Sequence, residues 1–286
     1  MKVVVTPNPY RDKNFKYAAH AERVLHEAGI ETRLCLPFGV DKSFELPTDR
    51  KFYVLNDELK TADMLICFGG DGTILHSSKA ATYNNIPVLG VNIGTMGFMA
   101  ELEAGEISQL ARLADGNFAV EKRMMLRVCV EHEGQTVFTD EALNDIAITK
   151  GAVARVIQLG VFCDGVEAYS FAGDGMIVST PTGSTAYSMS AGGPLVEPTA
   201  RNIIVTPICA HTVQARAFVT AKEREITIKV GKTGRKNAFL SADGGRAFRL
   251  NLGDQIKICR SQYETQLVRL KNTSFFEIIN NKFFNR

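Results

Sequence analysis

The stretch from residue 64 to residue 76 constrains the fold of this 286-residue chain more than any other. It reads MLICFGGDGTILH, a short apolar run followed by three glycines that one acid interrupts. The apolar run is typical of a strand buried on both faces, and a helical pattern opens at Thr73. Glycines let the backbone turn sharply and approach a ligand closely. We therefore predict a strand, a tight loop and a helix whose first amide groups favour anions, phosphates above all.

The acid at the tip of the loop, Asp71, distinguishes this motif from the two common phosphate-binding loops. A dinucleotide fingerprint requires G-x-G-x-x-G and a P-loop requires G-K-[ST], and this loop matches neither. A carboxylate repels phosphate unless it holds a metal or accepts a proton from an attacking hydroxyl. The motif therefore indicates phosphoryl transfer to an alcohol. On the pentapeptide alone, the alternative is a turn whose aspartate merely caps the helix.

A second glycine loop at residues 93–98 follows the next predicted strand, at residues 86–92. Both loops would lie at the carboxyl edge of one parallel sheet, where ligands bind in doubly wound folds. The alternative for the second loop is a simple turn. The rest of this region predicts strands at 2–6 and 31–36, helices at 15–28, 73–83 and 106–115, and an irregular stretch at 37–60 with a short strand near 52–55.

Beyond Val120 the pattern changes to many short runs with period two, separated by turn signals such as Asp243-Gly244. This predicts an α/β N-terminal domain with a parallel, Rossmann-like sheet over residues 1–120, followed by a mostly β domain over 121–265. The tail, residues 266–286, is too rich in phenylalanine and isoleucine to stay free. We expect it to dock on another surface as a helix or a strand.

Composition restricts the partners and the location of the chain. The net charge of +2 implies neither a nucleic acid nor a membrane as partner. No apolar run reaches the length of a membrane span, and the first residues read as a strand rather than a signal peptide. Six scattered cysteines without a C-x-x-C pair are interpreted as reduced core residues of a cytoplasmic protein, not as zinc ligands.

A second cluster, at residues 173–194, reads GDGMIVSTPTGSTAYSMSAGGP. So many hydroxyls and glycines cannot build a core, but they can offer hydrogen bonds to a polar ligand. Tyr187 could stack on a purine ring. Asn144 and Asp145 stand at the entrance to a predicted strand, where an acid beside an amide suits ribose hydroxyls or an adenine edge. The alternatives are an exposed loop for the first feature and a turn for the second.

Together these residues resemble the NAD kinases. The motif at 69–73, the pair Asn144-Asp145 and the stretch at 174–194 occur in that family's order and at its spacing, and residues 93–98 fit its second glycine loop. The likeness extends from about residue 1 to residue 286. The stretch at 174–194 is highly specific, whereas the glycine–aspartate motif alone is shared with diacylglycerol and sphingosine kinases and, loosely, with phosphofructokinases.

The resemblance implies transfer of the γ-phosphate of ATP to the 2′-hydroxyl of the adenosine ribose of NAD, with Mg²⁺ or another divalent cation accompanying ATP. It implies an α/β domain followed by a β-sandwich, NAD bound between them, and a tail that returns to the first domain. Members of the family form homodimers or homotetramers. In some of them the aspartate corresponding to Asp174 contacts NAD from a neighbouring subunit.

The resemblance also assigns roles to individual residues. Asp71 becomes the catalytic base, and no side-chain metal site is expected beyond a contact from Asp71 itself. The phosphate loop would comprise Gly69, Gly70 and Thr73. The residues expected to contact NAD, besides Asp71, are Gly72, His76, Phe98, Asn144, Asp145, Arg155, Asp174, Thr185, Ala186, Tyr187 and Ser190.

Three departures from the family pattern stand out. Many relatives have arginine at the place of His76. The family usually shows glutamate where this chain has Asp145, so a contact there would pass through water. A stretch beginning at His211 normally continues with proline where this chain has Ala217, and we interpret His211 as structural.

Two rival functions remain open at this point. A lipid kinase of the diacylglycerol type shares the glycine–aspartate loop but lacks the Thr-Gly-Ser-Thr-Ala-Tyr stretch at 182–187. A catalytically silent NAD(P)-binding sensor would keep the pocket and lose turnover, and the intact Asp71 argues against it.

Overall fold

The structure, a computed structural model, describes residues 1–95, 97–151, 156–231 and 238–283. The chain forms two compact units. Unit 1 comprises Met1–Lys122 and Thr265–Arg286, and unit 2 comprises Arg123–Glu264. The last stretch of the chain therefore belongs with the first. Among the described residues, no helix has both the length and the apolar character that crossing a membrane requires.

The first segment of unit 1 alternates strands and helices. Its elements are β1 (Lys2–Pro7), α1 (Lys16–Glu27), β2 (Glu31–Leu34), α2 (Leu55–Leu59), β3 (Met64–Gly69), α3 (Asp71–Tyr83), β4 (Val88–Asn92) and β5 (Leu102–Glu103), with 3-10 helices at Lys13–Phe15 and Ala104–Leu113.

The rest of the chain is mostly β. Its elements are β6 (Ala119–His132), β7 (Gln135–Ala142), β8 (Asp145–Lys150), β9 (Ile157–Cys163), β10 (Val166–Gly173), β11 (Gly175–Ser179), a 3-10 helix at Thr182–Thr185, α4 (Tyr187–Ser190), β12 (Asn202–Ile208), β13 (Phe218–Ala221), β14 (Ile226–Val230), β15 (Ala238–Ala242), β16 (Phe248–Leu250), β17 (Gln255–Arg269) and α5 (Phe275–Phe283).

The sheet of unit 1 has the strand order β2-β1-β3-β4, and every pairing in it is parallel. The end of β17 and the short β5 also pair in parallel with β4. All six residues of β3 are buried, as the apolar run predicted. The chain moves outward from β1 to β2 and in the opposite direction from β3 to β4, so right-handed crossovers place α1 and α3 on opposite faces. The predicted α/β class is confirmed.

This strand order determines where unit 1 can bind a ligand. The direction of the chain reverses between β1 and β3, and a crevice opens at the carboxyl ends of the strands at such a switch point. The loops that follow β1, β3 and β4 all leave from that edge. The two glycine loops of the sequence follow β3 and β4, so the sheet brings them to the same side.

Unit 2 contains two antiparallel sheets. One has the order β13-β12-β11-β8-β15-β16, and the other includes β10-β9-β14-β17, with β6 and β7 continuing beyond β17. One buried hydrophobic cluster draws on both sheets, for example Ile148 and Val178 from the first with Leu159 and Ile258 from the second. Two sheets that share a core in this way form a β-sandwich.

The stretch at 37–60 departs from the prediction. The short strand expected near 52–55 is reduced to one isolated bridge at Tyr53, and Leu55–Leu59 forms α2. Asp57 and Glu58 lie in the first turn of this helix, where acidic side chains interact favourably with the free amide groups. A helix of one turn is too short to leave a periodic signal in the sequence.

Two helix starts also differ from the prediction. The helix α3 begins at Asp71 itself. The helix expected at 106–115 is a 3-10 helix at Ala104–Leu113, whose start is fixed by a capping box. In that box the backbone amide of Glu103 donates to the carboxylate of Glu106 at 2.9 Å. Such a box sets the first residue more precisely than hydrophobic spacing can.

The returning end of the chain is fastened to unit 1 by a buried carboxylate, that of Glu101. One of its oxygens accepts the backbone amides of Leu270 at 2.9 Å and Lys271 at 2.6 Å. The other lies 3.2 Å from the guanidinium of Arg269. Because Glu101 follows the second glycine loop closely, this contact ties the tail to the binding edge of the sheet.

The helix α5 docks more lightly than the sequence suggested. The ring of Phe283 lies 6.0 Å from that of Phe98, centroid to centroid. However, no residue of α5 is buried, and Phe276 is 66% exposed. The segment before α5 supplies the buried contacts, since Leu267, Val268 and Leu270 belong to the core.

We predict that Glu101→Gln lowers the free energy of unfolding by about 1.5–3 kcal/mol, the typical contribution of a hydrogen bond to a charged group. Glutamine keeps the acceptor oxygen for the two amides but loses the charge opposite Arg269. Chemical denaturation measures the change. The control is Glu27→Gln, at an exposed position of α1. Equal effects of the two variants would refute the role of Glu101.

Candidate active site

The first glycine loop is held against the loop that follows β1. The side-chain amide of Asn8 donates to the hydroxyl of Thr73 at 2.8 Å, in the first turn of α3. The backbone amide of Asn8 donates to the carbonyl of Phe68 at 2.8 Å. These two bonds fix the start of α3 relative to β1, so the free amide groups at the start of α3 occupy a defined place.

Asp71 connects the two glycine loops. Its Oδ2 accepts the backbone amide of Phe98 at 2.8 Å, and its Oδ1 accepts that of Met99 at 3.0 Å. A Cβ atom at Gly97 would collide with the Asp71 carboxylate, so only glycine permits this approach. A carboxylate has about four lone-pair sites. Two amides therefore orient Asp71 while leaving acceptor capacity for a ligand.

The other predicted residues of unit 1 differ in burial and in their relation to this carboxylate. Phe98 is buried, with the ammonium of Lys282 3.9 Å from the centroid of its ring. Gly72 is exposed at the start of α3. His76 is exposed one turn further along α3, and its ring meets that of Phe38 edge-on at 5.6 Å. The structure thus brings Asp71 and Phe98 together and sets His76 farther along the helix.

In unit 2, Asp243 organises the entrance to β8. This residue has a positive φ of 51° in the turn after β15. Its carboxylate accepts the backbone amides of Leu143 at 2.7 Å, Asn144 at 2.7 Å and Asp145 at 3.1 Å. Three amide donors therefore converge on this one carboxylate. The sequence marked Asp243 only as part of a turn signal.

The hydroxyl-rich loop packs directly on this entrance. The hydroxyl of Thr180 donates to the carbonyl of Leu143 at 2.6 Å, and the backbone amide of Thr180 donates to the carbonyl of Asn144 at 2.9 Å. A Cβ atom at Gly183 would collide with that same Asn144 carbonyl. Two stretches that are far apart in sequence therefore form one rigid cluster.

Two polar side-chain atoms of this cluster lack partners among the described residues. The side-chain oxygens Asn144 Oδ1 and Ser179 Oγ are buried without a hydrogen bond there. Asp145 pairs with Ser179 on the adjacent strand, so their side chains share one face of the sheet. A buried unsatisfied polar group costs about 1–3 kcal/mol. Such a cluster is suited to a polar ligand that supplies the missing partners.

The carboxyl of Asp145 is also electrostatically unusual. Its residue is 5% exposed. Burial desolvates the carboxylate and, together with the nearby charge of Asp243, raises the pKa of Asp145 to about 7. The group can therefore serve as a hydrogen-bond donor or acceptor near neutral pH.

The remainder of the hydroxyl-rich loop divides into buried and exposed positions. Thr185 is buried, and its hydroxyl donates to the carbonyl of Thr182 at 3.2 Å. Ala186 is half-buried. Tyr187 is 43% exposed, and Ser190 is exposed. The ring of Tyr187 thus presents a surface on which a flat ligand can stack.

Asp174 lies away from this cluster. Asp174 precedes the first residue of β11, whereas Ser179 is the last residue of that strand. The strand from Gly175 to Ser179 spans about 13 Å. The carboxylate of Asp174 instead lies 2.7 Å from the ammonium of Lys150. Arg155, the other predicted basic contact, lies outside the described residues.

Sequence reasoning missed one cation beside the glycine loops, Arg11. One nitrogen of its guanidinium lies 3.8 Å from the position that a Cβ atom would occupy at Gly70. A Cβ atom at Gly94 would collide with the same nitrogen. Its position in the loop after the first predicted strand was the available signal, because that strand ends at the same sheet edge.

Within the described residues, no cluster of three or more His, Cys, Asp or Glu side chains is arranged to hold a metal. His211, interpreted as structural, is exposed.

Comparisons with known proteins point to one family. The family model described as the ATP-NAD kinase N-terminal domain matches residues 3–118, and that of the ATP-NAD kinase C-terminal domain matches residues 143–270. The NAD kinase of Acetivibrio thermocellus is 34% identical over 288 aligned positions, which cover 100% of this chain and 98% of the relative. That of Carboxydothermus hydrogenoformans is 41% identical, with 80% of this chain and 81% of the relative covered.

The solved structures that resemble this chain include two kinases of NAD or NADH. Yeast NADH kinase complexed with NADH superposes with a TM-score of 0.84 at 25% identity, covering 98% of this chain and 86% of the other. An NAD kinase from Archaeoglobus fulgidus in complex with ATP gives a TM-score of 0.73 at 27% identity, covering 99% and 98%.

We predict that Asp145 makes stability depend on pH. Because the pKa of Asp145 is raised from 3.8 to about 7, the folded state binds this proton more tightly than the unfolded state does. The contribution is complete below about pH 4 and is lost as the pH rises to about 7, with a slope of about 1.4 kcal/mol per pH unit.

Denaturation of the wild type and of Asp145→Asn at several pH values measures this effect. Over that interval the wild type should lose stability relative to the variant. Asp49→Asn, at an exposed position, should run parallel to the wild type. A pH-independent difference between the wild type and Asp145→Asn would contradict the assignment.

Proposed function

The chain belongs to the ATP-NAD kinase family, and from that premise we propose that it transfers the γ-phosphate of ATP to the 2′-hydroxyl of the adenosine ribose of NAD, giving NADP. It is a phosphotransferase with an alcohol acceptor. The observation that carries the proposal is the Asp71 carboxylate, oriented between two glycine loops by two backbone amides. The lipid kinase and the silent sensor are not favoured by any of the comparisons.

Asp71 acts as the proton acceptor in this proposal. A ribose hydroxyl is a very weak acid, and aspartic acid has an ordinary pKa of about 3.9, so full deprotonation before attack is unfavourable. Asp71 therefore orients the hydroxyl and takes its proton late, as the bond to phosphorus forms. Positioning and charge neutralisation supply most of the rate in such transfers.

A divalent cation, Mg²⁺ in the simplest case, fits the site as a companion of ATP. Asp71 is the one acid in the two glycine loops at 69–73 and 93–98, and both of its oxygens already accept amides. This donor set suits an ion that is bound mainly by phosphate oxygens, with at most a contact to Asp71. When bound, the ion neutralises the charge of the triphosphate.

In unit 2, we assign the polar cluster to the dinucleotide. Asn144 Oδ1 would accept a hydrogen bond from NAD, and Asp145 would contact it through its carboxyl. Tyr187 would stack on a ring of NAD, with Thr185, Ala186 and Ser190 around it. In unit 1, we assign Gly72, His76 and Phe98 to substrate contacts, and Gly69, Gly70 and Thr73 to the phosphates. Arg155 keeps its proposed role beside the nucleotide.

The placement of Asp174 supports an oligomer. It lies at the far end of β11 from Asp145 and Ser179, which agrees with the resemblance noted above, in which the corresponding aspartate contacts NAD from a neighbouring subunit. We accordingly propose a homodimer or homotetramer. We also propose a cytoplasmic enzyme with neither nucleic acid nor membrane among its partners.

The test is a coupled assay with purified protein, Mg-ATP and NAD, in which an NADP-specific dehydrogenase detects the product. NADP that depends on both ATP and the metal is the expected result. Calorimetric binding of NAD without turnover would favour the sensor. Absence of both would overturn the proposal.

We predict that Asp71→Asn lowers kcat by about 10²–10⁴-fold, the range for loss of general acid–base catalysis. Affinity for NAD, measured by calorimetry, should change little, since the amide keeps the size of the side chain. The matched control, Asp115→Asn, changes an exposed aspartate of unit 1 and should leave kcat unaltered. Turnover of Asp71→Asn near that of the wild type would refute the base assignment.

A further inference from the structure

The guanidinium of Arg11 lies between the backbones of both glycine loops. Its Nη1 atom is so close to Gly94 that a Cβ atom there would collide with it, and it is 3.8 Å from the Cβ position of Gly70. Gly70 precedes Asp71, and Gly94 stands in the loop whose later amides hold the Asp71 carboxylate. The cation therefore lies beside the same two loops that frame the reacting group.

The loop that carries Arg11 is rigidly built. The backbone amides of Arg11 and Asp12 both donate to the carbonyl of Asn8, at 3.1 and 2.8 Å. The buried carboxylate of Asp12 in turn accepts the backbone amides of Tyr17 at 3.0 Å and Ala18 at 2.9 Å. This architecture fixes the backbone of an exposed arginine at the switch point between β1 and β3.

Within the part of the chain that the structure describes, the guanidinium of Arg11 has no acidic partner. No carboxylate of the described residues lies within 4.0 Å of its guanidinium, and the nearby Asp12 is oriented toward α1 instead. The two glycine loops, 69–73 and 93–98, contain no lysine or arginine. A triphosphate that binds at these loops would thus meet the guanidinium of Arg11, in the loop after β1. The forked arrangement of the guanidinium N–H groups matches the oxygens of a phosphate.

We propose that Arg11 binds the phosphate chain of the phosphoryl donor above the two glycine loops. The inference rests on the proposed kinase function and extends it by naming the residue that supplies the missing cation. Arg11 takes no proton and forms no covalent bond in this role. It positions the phosphate chain beside Asp71 and offsets its charge.

The decisive variants are Arg11→Met, which removes the charge, and Gly94→Ala, which leaves Arg11 in place but fills the space of its guanidinium. Gly94 does not have a positive φ, and the atom nearest to an added Cβ is the flexible end of the Arg11 side chain, so the fold should persist. Lys13→Met removes an equal charge from an exposed site two residues away and serves as the control.

Steady-state kinetics should show that Arg11→Met and Gly94→Ala each raise KM for ATP about ten- to one-hundredfold, the effect of losing one hydrogen bond to a charged group. KM for NAD at saturating ATP should stay unchanged, and so should both constants in Lys13→Met. The double variant should be no worse than Arg11→Met alone, because both substitutions remove one interaction. Arg11→Lys should fall between the wild type and Arg11→Met.

Three results would overturn the proposal. The first is an unchanged KM for ATP in Arg11→Met. The second is an increase in KM for NAD alone, which would assign the cation to the pyrophosphate of NAD. The third is a Gly94→Ala variant that behaves like the wild type. Calorimetric binding of ATP without NAD tests Arg11 independently of turnover. Failure of the wild type to make NADP would refute the proposed function, whereas NADP formation with unaltered ATP binding in Arg11→Met would refute Arg11 alone.

Discussion

The pair of hydrogen bonds from the backbone amides of Phe98 and Met99 to Asp71 is the interaction on which the site of unit 1 depends. An aspartate at the start of a helix normally accepts amides of its own helix. Here the carboxylate is instead directed at a different loop, and Gly97 is small enough to admit it. The orientation of the acid therefore follows from sheet topology, because only adjacent parallel strands bring the loops after β3 and β4 together.

Unit 2 uses the same device with another aspartate. Asp243 collects the amides of residues 143–145 and so shapes the entrance to β8. The consequence is electrostatic as well as structural, since burial raises the pKa of the Asp145 carboxyl and the nearby Asp243 anion raises it further. A site rich in hydroxyls thereby acquires a carboxyl group that changes its protonation close to neutrality.

The sequence predicted the elements that leave a periodic or a compositional signal. The buried strand β3 and the alternation beyond Val120 were visible for this reason, and the resemblance to a family added the site motifs. It could not predict the one-turn helix α2 or the capping box at Glu103. Asp243 and Arg11 were missed because their roles arise from contacts with residues distant in the chain. A turn aspartate and a loop arginine look alike whether they face solvent or organise a site.

Unit 1 is assembled from two segments that are separated in the chain by the whole of unit 2. Residues 265–283 supply the end of β17, which pairs with β4, and the side chains that pack on Phe98. Asn8 and Arg11 are synthesised long before them. During synthesis from the N-terminus, the first segment must therefore wait with β4 lacking its neighbour until unit 2 has been translated. Such long-range pairing carries an entropic cost and delays completion of the fold. The nascent chain would thus lack a complete unit 1 until residues 265–283 have left the ribosome.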